Sequence, residues 1–185
     1  MSMGKIKVLS DEITKKISAG EVIERPVSVV KELIENSIDA AADEIIVEIK
    51  QGGRKLIKVK DNGIGMNKED VVLCADRFTT SKISNINDIY ELTTLGFRGE
   101  ALSSITAVSK LEIISKDNNS KSAVKLAIED KKKSIEEISA LNGTTITVKD
   151  LFYNLPVRLK FLKSIETESS HIYDLVYKLA MGNHD

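Results

Sequence analysis

The stretch Glu32-Leu33-Ile34-Glu35-Asn36-Ser37-Ile38-Asp39-Ala40 carries two patterns at once. Within a segment running from about Pro26 to Ala42, Val30, Leu33, Ile34, Ser37, Ile38 and Ala41 fall on one face at helical spacing, and Glu32, Asn36 and Asp39 fall on the other. The apolar stripe predicts a helix lying on a core, opened by Pro26 at a first helical position. Glu32 and Asn36 stand one turn apart on one face, so both can point into a single cleft. A carboxylate there can take a proton from an attacking water, and an amide oxygen can join waters and phosphate oxygens around a hard Mg²⁺. Taken alone, the pair also fits a solvated helix face.

Outward from this helix, Ser10 to Ser18 suits a shorter helix that Gly20 can end. On the other side, Glu44 to Lys50 and Arg54 to Lys60 alternate as strands, and Gln51-Gly52-Gly53 between them signals a hairpin. The second strand runs directly into Asp61-Asn62-Gly63-Ile64-Gly65-Met66, whose glycines permit positive φ and close approach of backbone to a ligand. An aspartate at that point can accept a hydrogen bond from the amino group of adenine. Guanine would present an acceptor to the same carboxylate, at a cost of roughly 2 kcal/mol or more for the unpaired groups. Alone, Asp-Asn-Gly also reads as an ordinary turn.

Lys68 to Arg77 has a helical pattern. Phe78 to Gly99 then loses clear periodicity, with Ile86 to Leu92 the one short helical possibility, as expected of a functional lid or a disordered loop. It contains Thr80-Ser81-Lys82 and leads into Leu95-Gly96-Phe97-Arg98-Gly99-Glu100-Ala101-Leu102, a glycine-bearing loop that opens a helix from Glu100 to Val108. Backbone N–H groups at such a start suit phosphate oxygens, with Lys82 and Arg98 adding charge. Strands are expected at Leu111 to Ser115, Ala123 to Glu129 and Thr144 to Lys149, and helix from Arg158 onward. This order predicts an α+β fold, a two-layer sandwich of helices on a mixed, mostly antiparallel sheet.

Composition narrows the function classes. The 185 residues suit one domain, and 42% hydrophobic with 30% charged residues belongs to a soluble globular chain. No apolar run reaches membrane-span length and Met1 to Ser10 lacks a signal-peptide core, so no membrane association and a cytoplasmic location, nuclear in a eukaryote, are expected. Cys74 is the single cysteine and lies among Val71, Val72, Leu73 and Ala75, which reads as a small hydrophobe. With His171 and His184 as the two histidines, no transition-metal site is expected. A formal charge of −1 argues against a dedicated nucleic-acid clamp, and Lys131 to Lys133 reads as a solvated turn. No Walker lysine motif occurs, which excludes a P-loop fold.

The three glycine- and acid-bearing motifs, followed by Gly143-Thr144-Thr145, resemble in order the ATP-site motifs of the superfamily of gyrase B subunits, heat-shock chaperones, histidine kinases and MutL. Within it, Ala19-Gly20-Glu21-Val22-Ile23-Glu24-Arg25-Pro26, Gly96 to Leu102, and Phe152-Tyr153-Asn154-Leu155-Pro156-Val157-Arg158 look like the MutL branch of mismatch repair proteins. The resemblance spans nearly the whole chain. It implies a Bergerat-type ATP-binding fold in which Glu32 is the general base and Asn36 the magnesium ligand, beside Asp39. Asp61 would read adenine, Gly65 would let the base approach, Thr144 would support the adenine contact, and Met66 would also bind the nucleotide. Thr80, Ser81 and Lys82, with Gly96, Phe97, Arg98, Gly99, Glu100, Ala101 and Leu102, would wrap the phosphates.

The resemblance also implies a slow, magnesium-dependent ATPase that orders its lid and forms an ATP-dependent homodimer, or pairs with a related subunit. Ile13 and Ile17 would lie in that contact. A MutS-type mismatch-recognition protein is the implied partner, and DNA would be met weakly, mainly through regions absent here. In the family a transducer domain supplies a phosphate-sensing lysine and a C-terminal domain dimerises; neither fits in this chain, which is therefore expected to be a single-domain fragment spanning 1–185. Two other functions compete. One is a non-hydrolytic, ATP-gated interaction module, against which Glu32 argues as a positioned base. The other is a histidine kinase, against which the lack of a phosphoacceptor histidine on a helical hairpin argues.

Overall fold

The computed structural model describes residues 14, 19–77, 79, 99–130 and 132–183. Ile13, Ile17, Thr80, Ser81, Lys82, Gly96, Phe97, Arg98 and the expected helix Ile86 to Leu92 lie outside the described residues.

Helix α1 spans Pro26–Asp39, with Pro26 at its first turn and Arg25 as an extended cap residue. It buries Pro26, Val29, Val30, Leu33, Ile34 and Ser37; of the expected stripe, Ile38 is only half-buried, and Ala41 is exposed beyond the end of the helix, where φ is 54°. Strands β1 (Ile45–Lys50) and β2 (Leu56–Asp61) form the expected hairpin. Its turn places Gln51, Gly52 and Gly53 in succession at φ of 53°, 62° and 83°. A Cβ on Gly53 would stand 2.7 Å from Pro26 Cβ, so this tight turn also lets the hairpin close against the start of α1.

Helix α2 (Lys68–Leu73) is capped by Asn67, whose side chain accepts from the Asp70 N–H. Helix α3 (Ala101–Val108) leads into β3 (Lys110–Lys116), β4 (Ala123–Glu129), β5 (Lys132–Ile138) and β6 (Gly143–Lys149). Helices α4 (Pro156–Phe161) and α5 (Ile165–Gly182) follow. The sheet runs β1-β2-β6-β3-β4-β5, with every neighbouring pair antiparallel. The α+β sandwich is therefore observed, with an antiparallel rather than mixed sheet among the described residues.

Two further expectations need correcting. Gly20 does not end a helix, because residues 19–22 are helical through it. Its missing side chain serves packing instead: a Cβ would stand 2.9 Å from an Arg158 guanidinium nitrogen, and that guanidinium donates to the Gly20 carbonyl at 2.8 Å. Second, Lys132 and Lys133 are not turn residues but open β5. Residues Lys132 to Glu137 are all exposed, so this edge strand shows no apolar alternation to read, and its charges discourage further pairing.

The core lies between the helices and one face of the sheet, and it is built in rows. Ile57, Val148, Leu111 and Ile128 are paired across β2, β6, β3 and β4, and Val59, Ile146, Ile113 and Leu126 form the next row. All eight are buried. The following row breaks the pattern: Thr144 pairs with Ser115, and Asp61 ends β2 beside them. These three are polar and at most 9% exposed. In the first turn of α5, Glu168 is fully buried and pairs with Arg25 at 3.1 Å, tying the last helix to the start of α1.

Candidate nucleotide site

Burying an aspartate, a threonine and a serine in one row of the sheet, with a second serine packed on them from α1, is costly unless each polar atom finds a partner. Here they satisfy one another. Asp61 Oδ1 accepts from the Gly63 N–H at 3.0 Å and the Thr144 N–H at 3.1 Å. Asp61 Oδ2 accepts from the Ser37 hydroxyl at 2.9 Å, and the same hydroxyl lies 3.1 Å from the Leu33 carbonyl. Three bonds occupy three of the carboxylate's roughly four acceptor positions. The carboxylate is thus fixed by α1, by its own loop and by β6, with capacity left for one further donor.

The loop after β2 is shaped by close approach. Gly65 has φ of +68° and a Cβ there would fall 2.0 Å from the Lys116 carbonyl oxygen, so no side chain fits. Gly63 is similarly confined, with the Ala40 carbonyl oxygen 2.6 Å from where its Cβ would be. The Met66 N–H donates to Ser115 Oγ at 2.9 Å. Ser115 also contacts Thr144 Oγ1 at 2.8 Å and the Gly143 carbonyl at 3.2 Å. Asp61, Gly65, Met66 and Thr144, expected at one site, are brought together.

Glu32, Asn36 and Asp39 share the polar side of α1 and are half-buried, whereas the neighbouring Lys31 and Glu35 form an ordinary i,i+4 ion pair at 3.3 Å. Because Ser37 follows Asn36 directly and bonds Asp61, the helix carrying Glu32 and Asn36 is pinned to the carboxylate. Gly99, Glu100, Ala101 and Leu102 are half-buried at the start of α3. Gly99 has φ of +60°, and a Cβ there would stand 2.7 Å from the Thr79 carbonyl oxygen. Thr79 Oγ1 in turn lies 2.9 and 2.8 Å from the carbonyl oxygens of Leu73 and Asp76, which share its single proton. Thr79 and Gly99, on either side of residues 80–98, therefore meet next to α2 and α3.

Cys74 is half-buried and donates its thiol to the Val71 carbonyl at 3.2 Å. Burial pushes the thiol up to about 12, although nearby Lys133 acts the other way. This is an inert thiol of the kind its apolar neighbours suggested. Two members of the site were not singled out from sequence. By spacing alone Ser37 belongs to the apolar stripe and Ser115 to a strand. The available signal was a serine at a core-facing position in each element, which needs a buried partner.

Residues 24–153 match the family described as histidine kinase-, DNA gyrase B-, and HSP90-like ATPase, and the chain belongs to that family. Within it, the similarity is to MutL. The DNA mismatch repair protein MutL of Geotalea daltonii is 47% identical over 182 residues, which cover 98% of this chain and 30% of that protein. The MutL of Chlorobium limicola is 51% identical over 184 residues, covering 99% and 29%. The chain thus spans about 30% of the length of such relatives. Among solved structures, the Aquifex aeolicus MutL ATPase domain complexed with ADP is 38% identical with a TM-score of 0.69, covering 88% of this chain and 57% of that one. The N-terminal domain of a DNA repair protein is 35% identical with a TM-score of 0.74, covering 91% and 50%.

Proposed function

We propose that this chain is the ATP-binding and slowly ATP-hydrolysing switch domain of a MutL-type mismatch repair protein. The observation that carries the reading is the Asp61 carboxylate, held by Ser37, Gly63 and Thr144 with one acceptor position to spare. That position suits the exocyclic amino group of adenine and disfavours the 6-oxo group of guanine. The ADP complex of the similar Aquifex aeolicus domain supports the same class of ligand.

Glu32 then acts as general base, taking a proton from the water that attacks the terminal phosphate. Asn36, one turn further on, offers an amide oxygen to magnesium. The donor set fits that ion: a neutral oxygen beside a carboxylate suits a hard cation that keeps waters and phosphate oxygens for its remaining positions. Magnesium bound with the nucleotide would neutralise phosphate charge. Thr80 to Lys82 and Gly96 to Leu102 wrap the phosphates, with the N–H groups opening α3 as donors. Asp39 and Met66 complete the lining.

Phosphate contacts order the segment between Thr79 and Gly99 and promote pairing with a second copy or a related subunit. In the longer protein, a MutS-type partner and DNA read out the switch from a cytoplasmic or nuclear location. The decisive test is titration of the chain with a non-hydrolysable ATP analogue and magnesium, following heat and molecular mass together. Saturable binding accompanied by a rise toward twice the mass supports the switch. Binding with no change in mass leaves an ATP site without a dimer switch, and no binding removes the whole reading.

A further inference from the structure

Ser115 makes three contacts with one hydroxyl, and their chemistry fixes where its proton goes. The Met66 N–H can only donate, so it occupies one lone pair of Ser115 Oγ at 2.9 Å. The Gly143 carbonyl can only accept, so the 3.2 Å contact uses Ser115's single hydrogen. The 2.8 Å contact to Thr144 Oγ1 must then be donated by Thr144 into the remaining lone pair. The opposite polarity would set Ser115 Oγ and the Gly143 carbonyl against each other as two acceptors at a site 1% exposed.

We infer that Ser115 is a specificity-determining positioning residue, which by taking the Thr144 hydroxyl proton makes Thr144 Oγ1 an acceptor beside Asp61. Thr144 stands next to the carboxylate by its own backbone, its N–H donating to Asp61 Oδ1 at 3.1 Å. The buried polar row therefore offers the exocyclic group of a base two acceptors, a carboxylate oxygen and a hydroxyl lone pair. The two hydrogens of a 6-amino group can serve both acceptors, whereas a 6-oxo group brings only lone pairs to each. Without Ser115 the Thr144 hydroxyl would be free to rotate and donate, giving a 6-oxo group one favourable partner. This inference rests on the reading that the Asp61 site takes a purine nucleotide.

The test is a double-mutant cycle on this chain, titrating the β,γ-imido analogues of ATP and GTP. Ser115→Ala should lower the ATP-to-GTP affinity ratio about tenfold, as expected for one hydrogen bond reversed. Thr144→Val should lower the ratio too, and adding Ser115→Ala to it should change the ratio no further. Loss of the Met66 contact alone would weaken both analogues equally and leave the ratio intact. If Ser115→Ala does not fold, Ser115→Cys, nearly isosteric with a weaker acceptor, serves in its place with the same expectation. An unchanged ratio in the serine variant, or an equal fall in the Thr144 and Thr144→Val backgrounds, overturns the role of Ser115. Asp61→Asn run alongside separates the two ideas: if it leaves both affinities at parental values, the purine site itself is wrong, not merely the part given to Ser115.

Discussion

The Ser37 hydroxyl of α1 donates to Asp61 Oδ2 at 2.9 Å, although the two residues come from different elements and neither is more than 7% exposed. This bond joins the helix that carries Glu32 and Asn36 to the carboxylate at the end of β2. It couples the part of the site suited to phosphate chemistry to the part suited to reading a base.

Removing that bond should therefore loosen both parts. Ser37→Ala leaves one Asp61 oxygen without its donor, so ATP affinity should fall about tenfold and stability by about 1 kcal/mol. Calorimetric titration with a non-hydrolysable analogue and a urea melt measure the two effects. Parental affinity in Ser37→Ala would show that the coupling has no role in binding.

Much of this geometry is present in the residue order, and some of it is not. The α1 stripe, the Gln51-Gly52-Gly53 hairpin and the motif after β2 were legible because each obeys a short-range rule of period or turn chemistry. Strand β5 was not, because an edge strand whose first six residues are all exposed has no buried face to impose alternation. Gly20 misled because its glycine answers to Arg158, far along the chain, rather than to the end of a local helix. Ser37 and Ser115 are visible as polar residues on buried faces, but the partners that matter come from other elements: the packing of α1 on the sheet brings Ser37 to Asp61, and the sheet register brings Ser115 to Thr144.

The backbone of the loop should tolerate no side chain at its closest approach. Gly65→Ala requires a β-carbon 2.0 Å from the Lys116 carbonyl oxygen at a φ of +68°. The left-handed conformation alone costs about 1–2 kcal/mol, and displacing the loop adds to it. The variant should melt at lower temperature and bind ATP poorly. A variant as stable and as active in binding as the parent would mean that the loop can stand away from Lys116.

Cys74 offers a test of pH dependence. Its thiol is raised from 9.0 to about 12 by burial, so the folded chain holds this proton more tightly than the unfolded chain does. Its contribution to stability is fully present below about pH 9 and is lost as pH rises toward about 12. At pH 8 the thiol should react with iodoacetamide much more slowly than glutathione does, and denaturant should abolish the difference. Equal rates in the folded chain would contradict the buried, protonated thiol.

Glu32→Ala should bind ATP as the parent does and lose hydrolysis, because a general base acts in the reaction and makes no ground-state contact with the nucleotide. Asn36→Ala should instead lose the magnesium-dependent part of binding. Phosphate release and analogue titration separate the two. Parental hydrolysis by Glu32→Ala would remove its assignment as base.

The most direct test of the central claim concerns Asp61 itself. An asparagine retains the shape but can turn either an oxygen or an NH₂ group toward a purine edge. Asp61→Asn should therefore weaken ATP binding at least about tenfold, through the charge-assisted bond it removes, while GTP binding stays level or improves. Isothermal titration of parent and variant with the β,γ-imido analogues of both nucleotides measures the four affinities needed. A fall for ATP with no fall for GTP is the result expected of a carboxylate that reads adenine. An equal loss for both nucleotides, or no loss for either, would place Asp61 outside the base pocket and contradict the account.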